Sequence, residues 1–321
     1  MTTQPFTDNP DILALQARLQ DSDASTRRIA LIELADLEDP DALPWLTLAL
    51  TNDANADVRR EAARLLEGWE EADVVEALSN ALTDTDESVS EVAAQSLSQL
   101  KTTELGHIIL RWVKHENAQV RKHAWHALRE LRLPASAPDA LAALADADAN
   151  VRREAVGVLG WLKHTDALPE LARLASNDSA TEVRRAATGA LGLANNESVL
   201  PALRSALSDT EWQVREEAAS TLGKLRLSAS GDYLINALAD SYWQVRLQAV
   251  RALGKVRFVP ATNSLLELLS HSISNLRKET ALALGELGNP AALPALHNAE
   301  NDSDPEVRKA VRIALAQLQQ I

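Results

Sequence analysis

The 321-residue sequence predicts an all-α fold, a solenoid of about ten stacked helix pairs, on three observations. A unit of 31 or 32 residues recurs without losing phase, each unit carries an apolar stripe of helical spacing, and the apolar content is almost free of rings.

The phase is set by the dipeptide Val-Arg, found at Val58-Arg59, Val120-Arg121, Val151-Arg152, Val183-Arg184, Val214-Arg215, Val245-Arg246 and Val307-Arg308. Thr26-Arg27, Val89-Ser90 and Leu276-Arg277 fill the remaining three registers. Each anchor opens the second helix (B) of a pair. Val245, Ala249, Ala252, Leu253 and Val256 lie on one stripe of a 3.6-residue helix, as do Val214, Ala218, Thr221, Leu222 and Leu225. A shorter helix A precedes each B. Pro44, Pro169, Pro201 and Pro294 fall in its first turn, where a missing N–H costs nothing. Gly160, Gly192, Gly223, Gly254 and Gly285 recur late in B, where the lack of a Cβ permits close helix approach. One pair cannot bury its stripe alone, so the pairs must stack. Residues 11–321 therefore read as a single solenoid, and residues 1–10, outside the pattern, as a disordered N-terminal tail.

Composition agrees. Hydrophobic residues make up 46% of the chain but aromatics only 3%, which leaves Ala, Leu and Val, residues suited to closely packed helices. The absence of cysteine excludes disulfides, thiolate metal sites and cysteine nucleophiles. No leader and no apolar run of about 20 residues is evident, so a cytoplasmic protein with no membrane span is expected. The net charge of −14 opposes general attraction to nucleic acid, leaving only a local basic strip to act.

A second periodic feature completes the unit. Asp21, Asp53, Asp146, Asp178, Asp209, Asp240 and Asp302 each precede a B-helix arginine by six residues. This Asp-x5-Arg pattern with VRxxAxxxLG, as in Val151–Gly160 and Val245–Gly254, resembles HEAT-like repeats of the short type found in phycobilisome bilin lyase subunits. The resemblance implies a right-handed α-α superhelix, B helices on the concave face, and an Asp–Arg ladder between repeats. On that pattern the ladder should weaken at Ser90, Arg121 and Arg277, since Arg is missing at the first and His115 and His271 replace Asp before the others.

Three features are candidates for function. The residue after the ladder arginine is basic in seven units (Arg28, Arg60, Lys122, Arg153, Arg185, Lys278, Lys309), about 200° round the helix from the valine. This row is either a strip that recruits an acidic partner or a set of cations paired with Glu61, Glu154, Glu217 and Glu279. Trp212, Tyr242 and Trp243 stand at the entrances of two successive B helices, where six other units carry Ala, Thr or Ser. They are either a binding anchor, with the indoles roughly 10 Å apart, or loop packing. The fourth unit gathers His107, His115, His123 and His126 with Trp112 and Trp125. Its stretch from Lys101 to Arg132 holds seven Lys/Arg against three Glu, a local +4. His115, Arg121, Lys122, His123, Trp125 and His126 there are expected to contact a partner, and so are Arg153 and Arg185 in later units. Trp45, Trp69 and Trp161 are read as packing.

Catalysis is not expected. The sequence has no glycine-rich phosphate loop, nucleophile elbow or dinucleotide fingerprint. HEAT-like deoxyhypusine hydroxylase holds iron through several His-Glu dipeptides, whereas here only His115-Glu116 occurs. A zinc site needs three or four convergent ligands, so no metal and no other cofactor is assigned. The expected function is a non-catalytic protein–protein interaction scaffold that binds an acidic or mixed partner. A nucleic-acid-binding HEAT protein and a lyase-like helper that handles a tetrapyrrole are the alternatives the resemblance leaves open.

Overall fold

The computed structural model describes residues 5–319. Among them are twenty α-helices in ten A/B pairs and no β-strand. Residues 1–4 of the expected tail lie outside the described residues. Within 5–10, Asn9 caps the first helix through Asp11 N–H and donates its amide to Asp39 at 2.8 Å.

The chain divides into two compact units, one ending at Leu162 and one beginning at Lys163. The first holds α1 (Pro10–Leu19) with α2 (Ala24–Ala35), α3 (Leu43–Asn52) with α4 (Ala56–Leu65), α5 (Ala72–Ala81) with α6 (Glu87–Leu97), α7 (Gly106–Leu110) with α8 (Ala118–Leu128), and α9 (Ala137–Ala143) with α10 (Ala149–Trp161). The second holds α11 (Leu168–Asn177) with α12 (Thr181–Ala190), α13 (Leu200–Ala206) with α14 (Trp212–Leu225), α15 (Gly231–Ala237) with α16 (Trp243–Val256), α17 (Thr262–Leu268) with α18 (Ser274–Leu287), and α19 (Leu293–Ala299) with α20 (Pro305–Leu318). Within each unit, B packs on the next B and on its own A.

The sequence accounts for the pairs. Pro44, Pro169, Pro201 and Pro294 sit at the first positions of their A helices. Val214, Ala218, Thr221 and Leu222 of α14 are buried, as are Val245, Ala249, Ala252 and Leu253 of α16. A Cβ on Gly223, Gly254 or Gly285 would stand 2.9, 3.0 or 2.8 Å from the Cα of Ala252, Ala283 or Ala314 on the next B helix, so close approach is real there. At Gly160 a Cβ would meet nothing within 4 Å and at Gly192 only Thr221 at 3.6 Å, so those two glycines are not required by packing.

Each B helix begins from the same turn. The ladder residue accepts the N–H two positions on: Asp53 from Asn55, Asp209 from Glu211 and Asp240 from Tyr242, each at 2.8 Å. His115 and His271 keep this turn by accepting with Nδ1 at 3.1 Å. That is why an imidazole replaces the carboxylate without breaking the repeat.

The ladder itself runs in a different register from the expected one. The arginine Nη1 donates to the backbone carbonyl six residues back, while Nε and Nη2 fork onto the aspartate of the following unit. Arg27 thus bonds the Asp21 carbonyl and the Asp53 carboxylate, and Arg59 the Asp53 carbonyl and the Asp84 carboxylate. Arg121 and Arg277, expected to be weak, are fully engaged with Asp146 and Asp302 at 2.7–2.8 Å. The carbonyl they need is present whatever the side chain at His115 or His271. A histidine instead removes the acceptor from the arginine of the preceding unit.

Candidate functional site

In the first unit, the irregular fourth repeat shortens its A helix to five residues, followed by a 3-10 turn at Arg111–Lys114. Two residues expected to contact a partner are interior instead. Trp125 is completely buried, and His123 is 3% exposed with neither ring nitrogen hydrogen-bonded. Trp125 lies five residues after its valine, a position also buried at Ala94, Val156, Ala219 and Val250, so its ring fills the core. Burial, reinforced by the charges of Lys122 and His126, lowers the His123 pKa to about 4 and keeps it neutral. Its register neighbour on the next B helix, Glu154, is a buried carboxylate ringed by two arginines and an imidazole. Arg153 Nη2 donates at 2.9 Å, Arg129 Nη1 at 3.3 Å, and His126 Nδ1 stands at 3.7 Å. Burial pushes the Glu154 carboxyl up, but these bonds and charges outweigh it and hold it below the usual carboxylate range.

What remains accessible here is a basic surface. Lys122 and His126 are half-buried, and Lys122 has no carboxylate partner among the described residues. α8 carries Arg121 and Lys122 and no acid. Arg121 is committed to the ladder, and His115 packs its ring at a tilt against Trp112, with centroids 5.8 Å apart. Among the described residues, no group of three or more His, Asp or Glu gathers to hold a metal ion.

In the second unit, the aromatic residues converge differently from the expected indole pair. Trp212 stacks on Tyr242, centroids 5.6 Å apart and planes 14° from parallel, and Arg215 lies 5.6 Å from the Tyr242 ring. Trp243, the next residue in the chain, is 37% exposed, and Tyr242 is 45% exposed. α16 carries Arg246, Arg251 and Lys255 and no acid, the most positive of the B helices. Arg251 reaches Glu279 on α18 at 3.0 Å.

Four of the seven members of the basic row stand against carboxylates. Arg60 meets Asp57, Arg153 meets Glu154, Lys278 meets Glu279, and Arg185 stands 4.0 Å from Glu217. Arg185 remains 53% exposed at its side chain. Trp45 is buried, Trp69 half-buried, and Trp161 is covered on one face by Arg132 at 4.9 Å. No described helix is long and apolar enough to cross a membrane.

The profile of a family described as HEAT repeats matches residues 44–106, 107–192, 173–241 and 231–316. No curated protein matches the chain. Among solved structures, Kap95 in its complex with Nup1 superposes with a TM-score of 0.68 at 14% identity, over 96% of this chain and 50% of that one. Importin beta gives 0.65 at 13% identity over 97% and 51%, so this chain spans about half of either. YibA of E. coli gives 0.55 at 20% identity, over 94% of this chain and all of that one. At these identities the likeness establishes the fold.

Proposed function

The chain belongs to the HEAT-repeat family, and from that premise we propose that it is a non-catalytic, cytoplasmic protein-interaction scaffold gripping an acidic or mixed-charge partner with its B-helix face. The reading takes residues 11–321 as one series of repeats, and the 31-residue unit as the bilin-lyase-like type. The observation that carries it is α16: three cations and no acid in a protein of net charge −14, opening on exposed Tyr242 and Trp243. Aromatic anchors beside arginine are the composition of binding hot spots. Acid-free α8, with Lys122 and His126, supports the same polarity.

The test is affinity for a partner captured by crosslinking, identified and purified. Trp212→Ala/Trp243→Ala should weaken binding at least about tenfold, the loss of one hot-spot residue. A modest salt dependence fits a protein partner. Tight, steeply salt-dependent binding of an oligonucleotide would replace this reading with nucleic-acid recognition.

A further inference from the structure

One rung of the second unit is broken in a way that leaves an arginine without the carboxylate of the following unit; Asp240, whose oxygens are already gripped by Arg215, acts on it only through space. In the intact rungs Arg184–Asp209, Arg215–Asp240 and Arg277–Asp302, the guanidinium fork grips both carboxylate oxygens at 2.6–3.0 Å. At the rung between α16 and α18 the residue offered to Arg246 is His271. Its Nδ1 is already used by the Ile273 N–H, which leaves Nε2–H, a second donor, and no acceptor for the fork. Among the described residues no hydrogen bond or ion pair satisfies the Arg246 guanidinium, and its Nε is a buried donor without a partner. The other histidine-bearing rung strands no charge, because there Ser90 stands where the arginine would be. Arg246 is half-buried, one turn from exposed Trp243 and Tyr242, on the one B helix with three cations and no acid.

We propose that Arg246 is a carboxylate-receiving site: it takes the side-chain carboxylate of an acidic segment of the protein partner, as the ladder arginines take aspartate within the chain. This deepens the scaffold reading above and rests on it. Arginine favours such a ligand because its planar fork matches two carboxylate oxygens, and a half-buried guanidinium gains more from a counter-charge than a solvated one. Trp243 and Tyr242 supply the apolar contact that flanks the acid.

The site is tested in the full chain with glutarate as the probe and inorganic phosphate as the comparison. Both are titrated at constant ionic strength, and binding is read from the arginine Nε–H resonances. The expected result is a saturable shift of the Arg246 resonance with glutarate, while those of Arg184, Arg215 and Arg277, already paired, stay in place. His271→Asp supplies an internal carboxylate and should weaken the response at least about tenfold, the value expected for a charge-assisted hydrogen bond; Arg246→Gln, which carries no such resonance, should weaken glutarate binding by as much in titration calorimetry. Circular dichroism confirms that both variants are folded. An unmoved Arg246 resonance, an equal response in His271→Asp, or a response to phosphate alone overturns the proposal. Partner binding that survives His271→Asp intact removes this site while sparing the scaffold reading, which the Trp212/Trp243 variant tests separately.

Discussion

Replacing Asp209 isolates what one rung contributes. Its carboxylate accepts Arg184 Nε at 2.7 Å and Nη2 at 3.0 Å, and it also accepts the Glu211 N–H that shapes the entrance of α14. The two side chains are 13% and 9% exposed, so the pair is nearly withdrawn from water. Removing one partner of such a pair leaves the other charge uncompensated, at a cost of about 3–5 kcal/mol when fully buried. The residual exposure lowers this, and Asp209→Ala should cost about 3 kcal/mol. Asp209→Asn keeps the turn acceptor and should cost about 1 kcal/mol less, the worth of one hydrogen bond. Glu170 and Arg173 on α11 are the control: their pair is 37% and 52% exposed, and Glu170→Ala should cost well under about 1 kcal/mol. Burial pushes the Asp209 carboxyl up, but Arg184 and the Glu211 N–H hold it below the usual carboxylate range. That contribution is therefore complete above the unfolded carboxyl pKa and is lost as pH falls through the lowered folded one. Asp209→Ala should accordingly flatten the acid limb. Urea unfolding followed by helical circular dichroism measures all three variants. Equal midpoints for Asp209→Ala and Glu170→Ala would refute the reasoning, because burial of the rung would then carry no energy.

Two further outcomes follow from the packing. Gly223→Ala places a methyl 2.9 Å from the Ala252 Cα and should destabilise by about 1–3 kcal/mol, whereas Gly160→Ala meets nothing and should stabilise by up to about 1 kcal/mol; thermal melts of the two should move in opposite directions. His123, with a folded pKa of about 4, contributes fully above its unfolded value near 6.5 and loses that contribution as pH falls between the two. His123→Leu removes two unsatisfied buried nitrogens, so it should be the more stable protein at pH 5 and lack the loss of stability over that range, as checked by melts from pH 7 to pH 4.

The sequence carries the fold because a phase-locked apolar stripe has one physical solution, and Val245, Ala249, Ala252 and Leu253 lie buried where their spacing puts them. It carries less of the site. The ladder partner of Arg121 is Asp146, twenty-five residues on, and a pattern within one unit cannot show a bond made across two. The same limit hid Arg246: His271 is visible as a missing aspartate, but its consequence falls on the unit before it. Trp125 was open to a better reading, since its offset from Val120 matches the buried Ala219 and Val250. For Trp212, no spacing rule distinguishes a partner two positions from the next valine from one three positions away, and the stack forms with Tyr242.

The most direct measurement sets opposite faces of the repeats against each other. Affinity for the purified partner is compared between wild type, Trp212→Ala/Trp243→Ala at the B-helix entrances, and Glu170→Ala/Arg173→Ala on the A helix α11. Gripping by the B face predicts at least about tenfold weaker binding for the tryptophan variant alone. Unchanged affinity there, with the loss appearing in the α11 variant, would contradict it.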